Sequence, residues 1–85
     1  MRTQAVNDAR WIEFVRDPSF TNHKTDRWFI YAKGGGQLGH IQWYGAWRRY
    51  AFFPLGDTLF EATCLRDIAT FLDGQMDQRR NAKKR

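Results

Sequence analysis

The sequence predicts an α+β fold, in which a four-stranded antiparallel β-meander is followed by one C-terminal helix packed on one face of the sheet (ββββα). Three observations lead to this prediction. Alternating apolar runs occupy much of residues 10–54, glycine-containing segments separate the later runs, and the apolar period changes from 2 to 3.6 at about residue 61. A chain of 85 residues is expected to form one small domain, residues 1–85, with flexible ends at 1–9 and 81–85.

The first two strands are predicted at residues 10–16 and 27–33. In the first run, alternation places Ile12 and Phe14 on one face, although helical spacing would group other apolar residues of the run. The β-branched and aromatic residues of this run, and the nearby Pro18, favour a strand over a helix. The second run, RWFIYAK, is followed by three glycines, which suit a connection between strands.

A β-hairpin is predicted for residues 38–54, LGHIQWYGAWRRYAFFP, which hold two of the four Trp and two of the three Tyr. Gly45-Ala46 fits a two-residue type II′ turn, because such a turn needs a positive φ at its first central position. This turn would place Tyr44 opposite Trp47. Alternation then puts a largely apolar set on one face, which we expect to form the core: Ile41, Trp43, Tyr50 and Phe52, with Gly39 and Arg48 at its ends.

The opposite face of the hairpin, which we call the outer face, carries His40, Gln42, Tyr44, Trp47 and Arg49. The contribution of the second strand depends on the length of the glycine loop. A four-residue connection would pair Lys33 with Leu38 and bring Tyr31 and Lys33 to the outer face. A three-residue connection would reverse the faces of this strand, and the sequence leaves both registers open.

A C-terminal helix is predicted from Glu61 to about Arg80. Its apolar stripe consists of Leu65, Ile68, Ala69, Leu72 and Met76, with Cys64 and Phe71 at the margins. Glu61 or Thr63 is suited to cap the first turn, and Gly74 would permit a bend or an early end. The stripe is expected to cover the apolar face of the hairpin.

The composition restricts the kinds of partner and the cellular compartment that we expect for this chain. The formal net charge is +5, with much of the excess at Arg79, Arg80, Lys83, Lys84 and Arg85, so the partner is expected to be polyanionic unless this tail only aids solubility. The single Cys64 excludes an intrachain disulfide and a cysteine-based zinc site. No apolar run approaches the roughly 20 residues of a membrane span, and we expect a cytoplasmic protein with no membrane partner.

No catalytic set stands out in the sequence. His23 and His40 are the only histidines, and no carboxylate or nucleophile is paired with either by spacing. Neither a Walker loop nor a dinucleotide fingerprint is present. We therefore predict a non-enzymatic protein with no catalytic residues, no metal and no cofactor.

The outer face is the stronger candidate for function. Aromatic rings offer a stacking surface for bases, Arg and Lys supply phosphate contacts, and Gln and His can read a base edge. The predicted ligand-binding residues are Trp47, Arg49, Tyr44, Gln42, His40, Tyr31 and Lys33. Two other interpretations stay open. The same residue types form hot spots in protein–protein interfaces, and Tyr44 paired with Trp47 would also stabilise the end of a hairpin.

The segment LGHIQWYGAWRRYAFFP, followed by TLFEATCLRDIATFLDGQMDQRR, resembles a group of small phage and prophage accessory proteins with the pattern LGxIxWYxxWRxYxFFP and an FxxxCLxDIxxF helix. The match covers about half of the chain, residues 38–80. The group has no agreed activity, so the resemblance transfers no catalytic residue. It implies expression in the cytoplasm of an infected bacterium and a dispensable, often counter-defence, role.

The sequence thus favours a protein that binds a nucleotide ligand through its outer face. Sequestration of a cyclic nucleotide immune signal is the preferred form, and a homo-oligomer would close the pocket that sequestration needs. The rival interpretations are an inhibitor that binds a host defence protein, as anti-CRISPR proteins do, and a protein that binds single-stranded nucleic acid.

Overall fold

The structure, a computed structural model, describes residues 11–21 and 23–83. It contains β1 (Ile12–Arg16), β2 (Trp28–Ala32), β3 (Gln37–Tyr44), β4 (Arg49–Pro54) and α1 (Ala62–Lys83). The four strands form one antiparallel sheet in the order β1-β2-β3-β4, with α1 against the inner face, the one opposite the outer face. The predicted α+β fold is confirmed. The flexible end predicted at residues 1–9 lies outside the described residues.

The core forms between the inner face and α1. Ile12, Ile30 and Ile41, one from each of three neighbouring strands, are at most 1% exposed. Phe71 of α1 reaches the same layer, where its ring stacks on Phe14 with centroids 4.2 Å apart and meets Trp28 edge-on at 4.9 Å. These contacts connect the helix to the first two strands of the sheet.

The buried stripe of α1 differs from the predicted one. Cys64, Ile68, Phe71 and Gln75 are buried, whereas Leu65 is 50% exposed and Ala69 is also exposed. The physical reason is the large ring of Phe71, which packs on Phe14 of the edge strand β1 and against Trp28 of β2 and so sets the rotation of the helix about its axis. Leu72 and Met76 pack at the margin of the core.

The two ends of α1 test separate predictions. Glu61 accepts a hydrogen bond at Oε1 from the Thr63 backbone N–H at 2.7 Å, so the predicted cap is present. Gly74 does not interrupt the helix. The helix continues to Lys83, three residues beyond the predicted end, and residues 84 and 85 of the segment predicted to be flexible lie outside the described residues. The residues after Arg80 include no helix breaker, and cations near a helix C-terminus favour its dipole.

The hairpin turn differs from the predicted one. Residues 45–48 form a four-residue loop in which the Tyr44 carbonyl accepts from the Trp47 N–H at 3.2 Å and Gly45 accepts from Arg48 at 3.2 Å. The positive φ lies at Arg48 (55°) and not at Gly45. Tyr44 therefore pairs with Arg49 instead of Trp47. Because this shift is two residues, the inner and outer faces of β4 stay as predicted.

The register of β2 against β3 places Phe29 opposite His40 and Ile30 opposite Gly39. A bulge follows at Ile30/Tyr31, and the connection spans residues 33–36. The inner and outer faces of β2 are those predicted for a four-residue connection. Lys33, however, lies in the connection and not in the ladder. Gly39 is needed at its position because an added Cβ would lie 2.5 Å from the Phe53 carbonyl oxygen.

Candidate ligand-binding face

A row of four side chains crosses the outer face from one edge of the sheet to the other. Val15 pairs with Phe29, Phe29 with His40, and His40 with Phe53, so each of the four strands contributes one member. The rings of His40 and Phe53 stack in parallel with centroids 4.9 Å apart. No element of the described chain covers this row, which makes the outer face a continuous surface with a strong aromatic character.

The hairpin end of the outer face forms a shallow cleft of about 210 Å³, which we call the aromatic cleft. Tyr44, Trp47 and Phe53 contribute its rings, and Ala51 and Phe52 complete its lining. Tyr44 meets Trp47 edge-on at 4.8 Å and Phe53 edge-on at 6.2 Å. Trp47 is 64% exposed, so most of its ring surface is available to a ligand.

Positive charge adjoins the aromatic cleft at the start of β4. Arg49 lies directly opposite Tyr44 in the ladder and is exposed, and Arg48 occupies the last position of the hairpin loop. Side chains of directly opposed residues project to the same face of a sheet. Neither arginine lines the cleft, but Arg49 shares a face of the sheet with Tyr44, one of its lining residues.

A third arginine stands beside the row, held in place by a buried carboxylate. Asp17 is 4% exposed, and its Oδ2 accepts from Arg27 Nε at 2.9 Å and Nη2 at 2.8 Å. Oδ1 accepts from the Ser19 hydroxyl at 2.7 Å and the Ser19 N–H at 2.9 Å. The Ser19 hydrogen bond and the Arg27 guanidinium together lower the pKa of Asp17. The paired guanidinium lies over the rings of Phe20 (4.8 Å) and Phe29 (5.7 Å).

The surroundings of His40 favour the neutral form of its imidazole. Burial lowers the pKa of His40, the positive charge of Arg27 lowers it further, and a hydrogen bond with Gln42 opposes the shift. A neutral imidazole carries one donor and one acceptor, so His40 can hydrogen-bond to a ligand while its ring stays stacked on Phe53.

The structure divides the seven predicted binding residues into three groups. Tyr44, Trp47 and Arg49 meet at the hairpin end, and His40 and Gln42 lie at the centre of the outer face. Tyr31 lies on the same face near β1, where its ring is 6.3 Å from Phe29. Lys33 follows β2 in the connection to β3. One small ligand in the aromatic cleft would contact the first group and would be remote from the third.

Three residues of this surface escaped sequence analysis. Phe53 and Phe29 lie an even number of residues from Arg49 and Tyr31, respectively. The alternation alone therefore places both on the outer face. Arg27 is also an even number of residues from Tyr31, but the sequence gives no sign of its partner. Its position depends on the pairing with Asp17 across a nine-residue loop, which only the tertiary structure shows.

Neither a cluster of metal ligands nor a membrane span is found among the described residues. Within 11–21 and 23–83, no group of three or more His, Cys, Asp and Glu side chains converges as metal ligands would. The single helix of this part of the chain does not combine the length with the apolarity that a membrane span requires.

The fold and the outer face together define a small protein in which one helix covers one side of a sheet and aromatic groups line the other. The chain is similar to a protein of Acholeplasma phage L2, described as an uncharacterized 9.3 kDa protein. The two are 26% identical over 76 residues, which cover 88% of this chain and 96% of the phage protein. No protein-family model and no solved structure matches the chain. The chain thus resembles a small phage protein over nearly its whole length.

Proposed function

We propose that this chain is a non-enzymatic phage protein that binds a nucleotide ligand in the aromatic cleft and, by sequestering it, blunts a nucleotide-based immune signal in the host cytoplasm. The observation that carries the proposal is the cleft itself, where three aromatic rings meet, with the exposed Arg49 paired to one of them, Tyr44, in the ladder. The similarity to a phage protein supports the biological setting.

The cleft has dimensions suited to one planar ring. Its volume of about 210 Å³ is below the roughly 300–1,000 Å³ of pockets that enclose drug-sized ligands, so it would hold a base and not a whole cyclic oligonucleotide. Stacking of a base on an aromatic side chain contributes about 1–3 kcal/mol. Trp47 offers the largest exposed ring for this contact.

The phosphate of such a ligand would meet Arg49 or Arg48. Both are exposed, so each keeps its charge in contact with water and can form charge-assisted hydrogen bonds without displacing an existing partner in the core. Exposed ion pairs weaken as salt rises, so we expect nucleotide affinity to fall moderately with ionic strength. A bound single strand with many phosphates would show a much steeper salt dependence.

Sequestration requires that the ligand be shielded from water, and one open face encloses only one side of it. A second copy of this chain, packed with its outer face against the first, would supply the other side. The row from Val15 to Phe53 offers it a continuous apolar surface. Val15→Asp places a charge in this row far from the aromatic cleft and should shift the sedimentation of the protein toward the monomer.

A host protein is the second candidate partner. Large hydrophobic residues are exposed at both ends of the outer face, with Trp11 54% and Val15 40% exposed at β1 and Trp47 64% exposed at the hairpin. Exposed apolar patches of this kind mark interaction surfaces. This candidate predicts direct contacts at both ends of the outer face, whereas a nucleotide makes its direct contacts at the hairpin end.

The test is a thermal-shift and calorimetry screen of cyclic mono-, di- and trinucleotides beside a short oligonucleotide. A ligand that saturates the protein should raise the melting temperature of the wild type and of Leu59→Ala, but not that of Trp47→Ala. Leu59 is a matched control because it is 91% exposed and does not line the cleft. No shift with any nucleotide would contradict the proposal and favour the protein partner.

A further inference from the structure

A second cavity, of about 250 Å³, lies where the loop before β2, the inner face of β4 and the C-terminal half of α1 meet. Its lining consists of Lys24, Thr25, Asp26, Tyr50, Gln75, Gln78 and Arg79. None of these residues lines the aromatic cleft. Tyr50 projects to the side of the sheet that α1 covers, so the two openings lie on different sides of the molecule.

The buried stripe of α1 changes from apolar to polar at this cavity. Cys64, Ile68 and Phe71 are buried against the core, and the next position of the stripe is Gln75, which is only 8% exposed. A polar side chain at such a position is costly unless its amide finds hydrogen-bond partners. Here it lines a cavity, where its amide N–H groups can serve a ligand.

Two cations and one carboxylate contribute the charge of the lining. The Arg79 guanidinium lies over the Trp43 ring at 4.3 Å, a contact that fixes its position beside the cavity. Lys24 adds a second positive charge from the loop. The carboxylate of Asp26 is already paired, since its Oδ1 accepts from Arg16 Nη2 at 3.2 Å. The cavity therefore favours an anion over a cation.

Tyr50 supplies a neutral donor to the same cavity. Its hydroxyl oxygen accepts from the Asp26 N–H at 3.4 Å, which leaves the hydroxyl proton available for a further hydrogen bond. Burial raises the pKa of the Tyr50 phenol, so it stays protonated through the physiological range. A protonated phenol can donate to an oxyanion without adding a negative charge to the site.

We infer that this cavity binds the phosphate or diphosphate group of a small molecule, held between Lys24 and Arg79 and hydrogen-bonded by Tyr50 and Gln75. Phosphate oxygens accept several donors at once, and Arg and Lys are the side chains that proteins use for them. The site is separate from the aromatic cleft and does not depend on the function proposed for it.

Inorganic pyrophosphate is the probe, because it has no ring and cannot use the aromatic cleft. Calorimetric titration at low salt should show saturable binding to the wild type. Arg79→Gln and Lys24→Gln should each weaken it about tenfold or more, the scale of one charge-assisted hydrogen bond. Arg80→Gln is the matched control, because Arg80 is an exposed neighbour that pairs with Asp77 at 2.6 Å and does not line the cavity.

Trp47→Ala should bind pyrophosphate as the wild type does, which separates this site from the aromatic cleft. Arg79→Gln also removes the contact with Trp43 and with it some stability. Lys24 lies in an exposed part of the loop, so Lys24→Gln tests the need for positive charge without that loss. Absence of saturable binding by the wild type would overturn the inference. An equal loss of affinity in Arg80→Gln would also overturn it, since binding would then reflect only the net charge of the helix end.

Discussion

Trp47 packs edge-on against Tyr44, with ring centroids 4.8 Å apart and the ring planes at 82°. The two residues do not pair in the ladder, since Tyr44 lies opposite Arg49, and the four-residue loop folds Trp47 back onto its neighbour. This contact leaves 64% of Trp47 exposed. The ring therefore shapes a wall of the aromatic cleft while contributing little to the core.

The two tryptophans of the hairpin should differ in their effect on stability. Trp43 is half-buried on the inner face, meets Tyr50 edge-on at 5.5 Å and carries Arg79 over its ring. Trp43→Ala should lower the free energy of unfolding by about 3 kcal/mol, the lower end for removal of a large core ring. Trp47→Ala should lower it by less than about 1 kcal/mol, since only an aromatic edge contact is lost. Urea denaturation followed by circular dichroism measures both, and a larger loss for Trp47→Ala would reverse the assignment of the two faces.

The orientation of α1 gives a second prediction. Phe71→Ala removes a ring that stacks on Phe14 at 4.2 Å and should lower the free energy of unfolding by about 3–5 kcal/mol. Leu65→Ala removes a half-exposed side chain and should change it by about 0.5 kcal/mol or less. Chemical denaturation of the two variants compares them directly. Equal losses would mean that the helix presents its Leu65 side to the sheet.

The Asp17–Arg27 pair should respond to acid. The pKa of Asp17 is lowered from 3.8 by the Ser19 hydrogen bond and by Arg27, so its stabilising effect is complete above that pH and is lost as the pH falls through the lower, folded-state pKa. Asp17→Asn should be less stable than the wild type at pH 7, and the difference should shrink below pH 3.8. Thermal melting of the wild type and Asp17→Asn across this pH range measures the difference, and a difference that stays constant would contradict the role of the Asp17 charge.

His40 should make the stability of the protein depend on pH in a higher range than Asp17 does. Burial and the Arg27 charge lower its pKa from 6.5, so the folded state disfavours the imidazolium relative to the unfolded chain. Stability contributed by the neutral ring is present above pH 6.5 and is lost as the pH falls through the lower value in the folded state. In His40→Gln, the melting temperature should change less between pH 7 and the folded-state pKa of His40 than it does in the wild type. A slope as steep as that of the wild type would show that the titrating group is another residue.

The faces of the strands could be predicted from the sequence because they depend only on parity. The hairpin register moved by two residues, yet Ile41 and Tyr50 still face the core, and Tyr44 and Arg49 still face outward. The turn itself could not be predicted. Gly45 suggested a positive φ at the first turn position, whereas the folded loop places it at Arg48.

Features set by tertiary packing were beyond the sequence pattern. The rotation of α1 follows from the fit of Phe71 against Phe14 and Trp28, which the helical period alone does not contain. Likewise, the pairing of Arg27 with the buried Asp17, which holds the guanidinium near Phe29, could not be predicted, whereas the face of Arg27 follows from its parity with Phe29.

Calorimetric titration of a cyclic nucleotide into the wild type, Trp47→Ala, Arg49→Ala and the Leu59→Ala control tests the central claim most directly. The proposal predicts that Trp47→Ala and Arg49→Ala stay folded and each lose about 1–3 kcal/mol of binding free energy, because a stacked ring or a phosphate contact is removed. Leu59→Ala should bind as the wild type does. Binding of wild-type strength in both Trp47→Ala and Arg49→Ala would contradict the account, since the aromatic cleft would then not be the site.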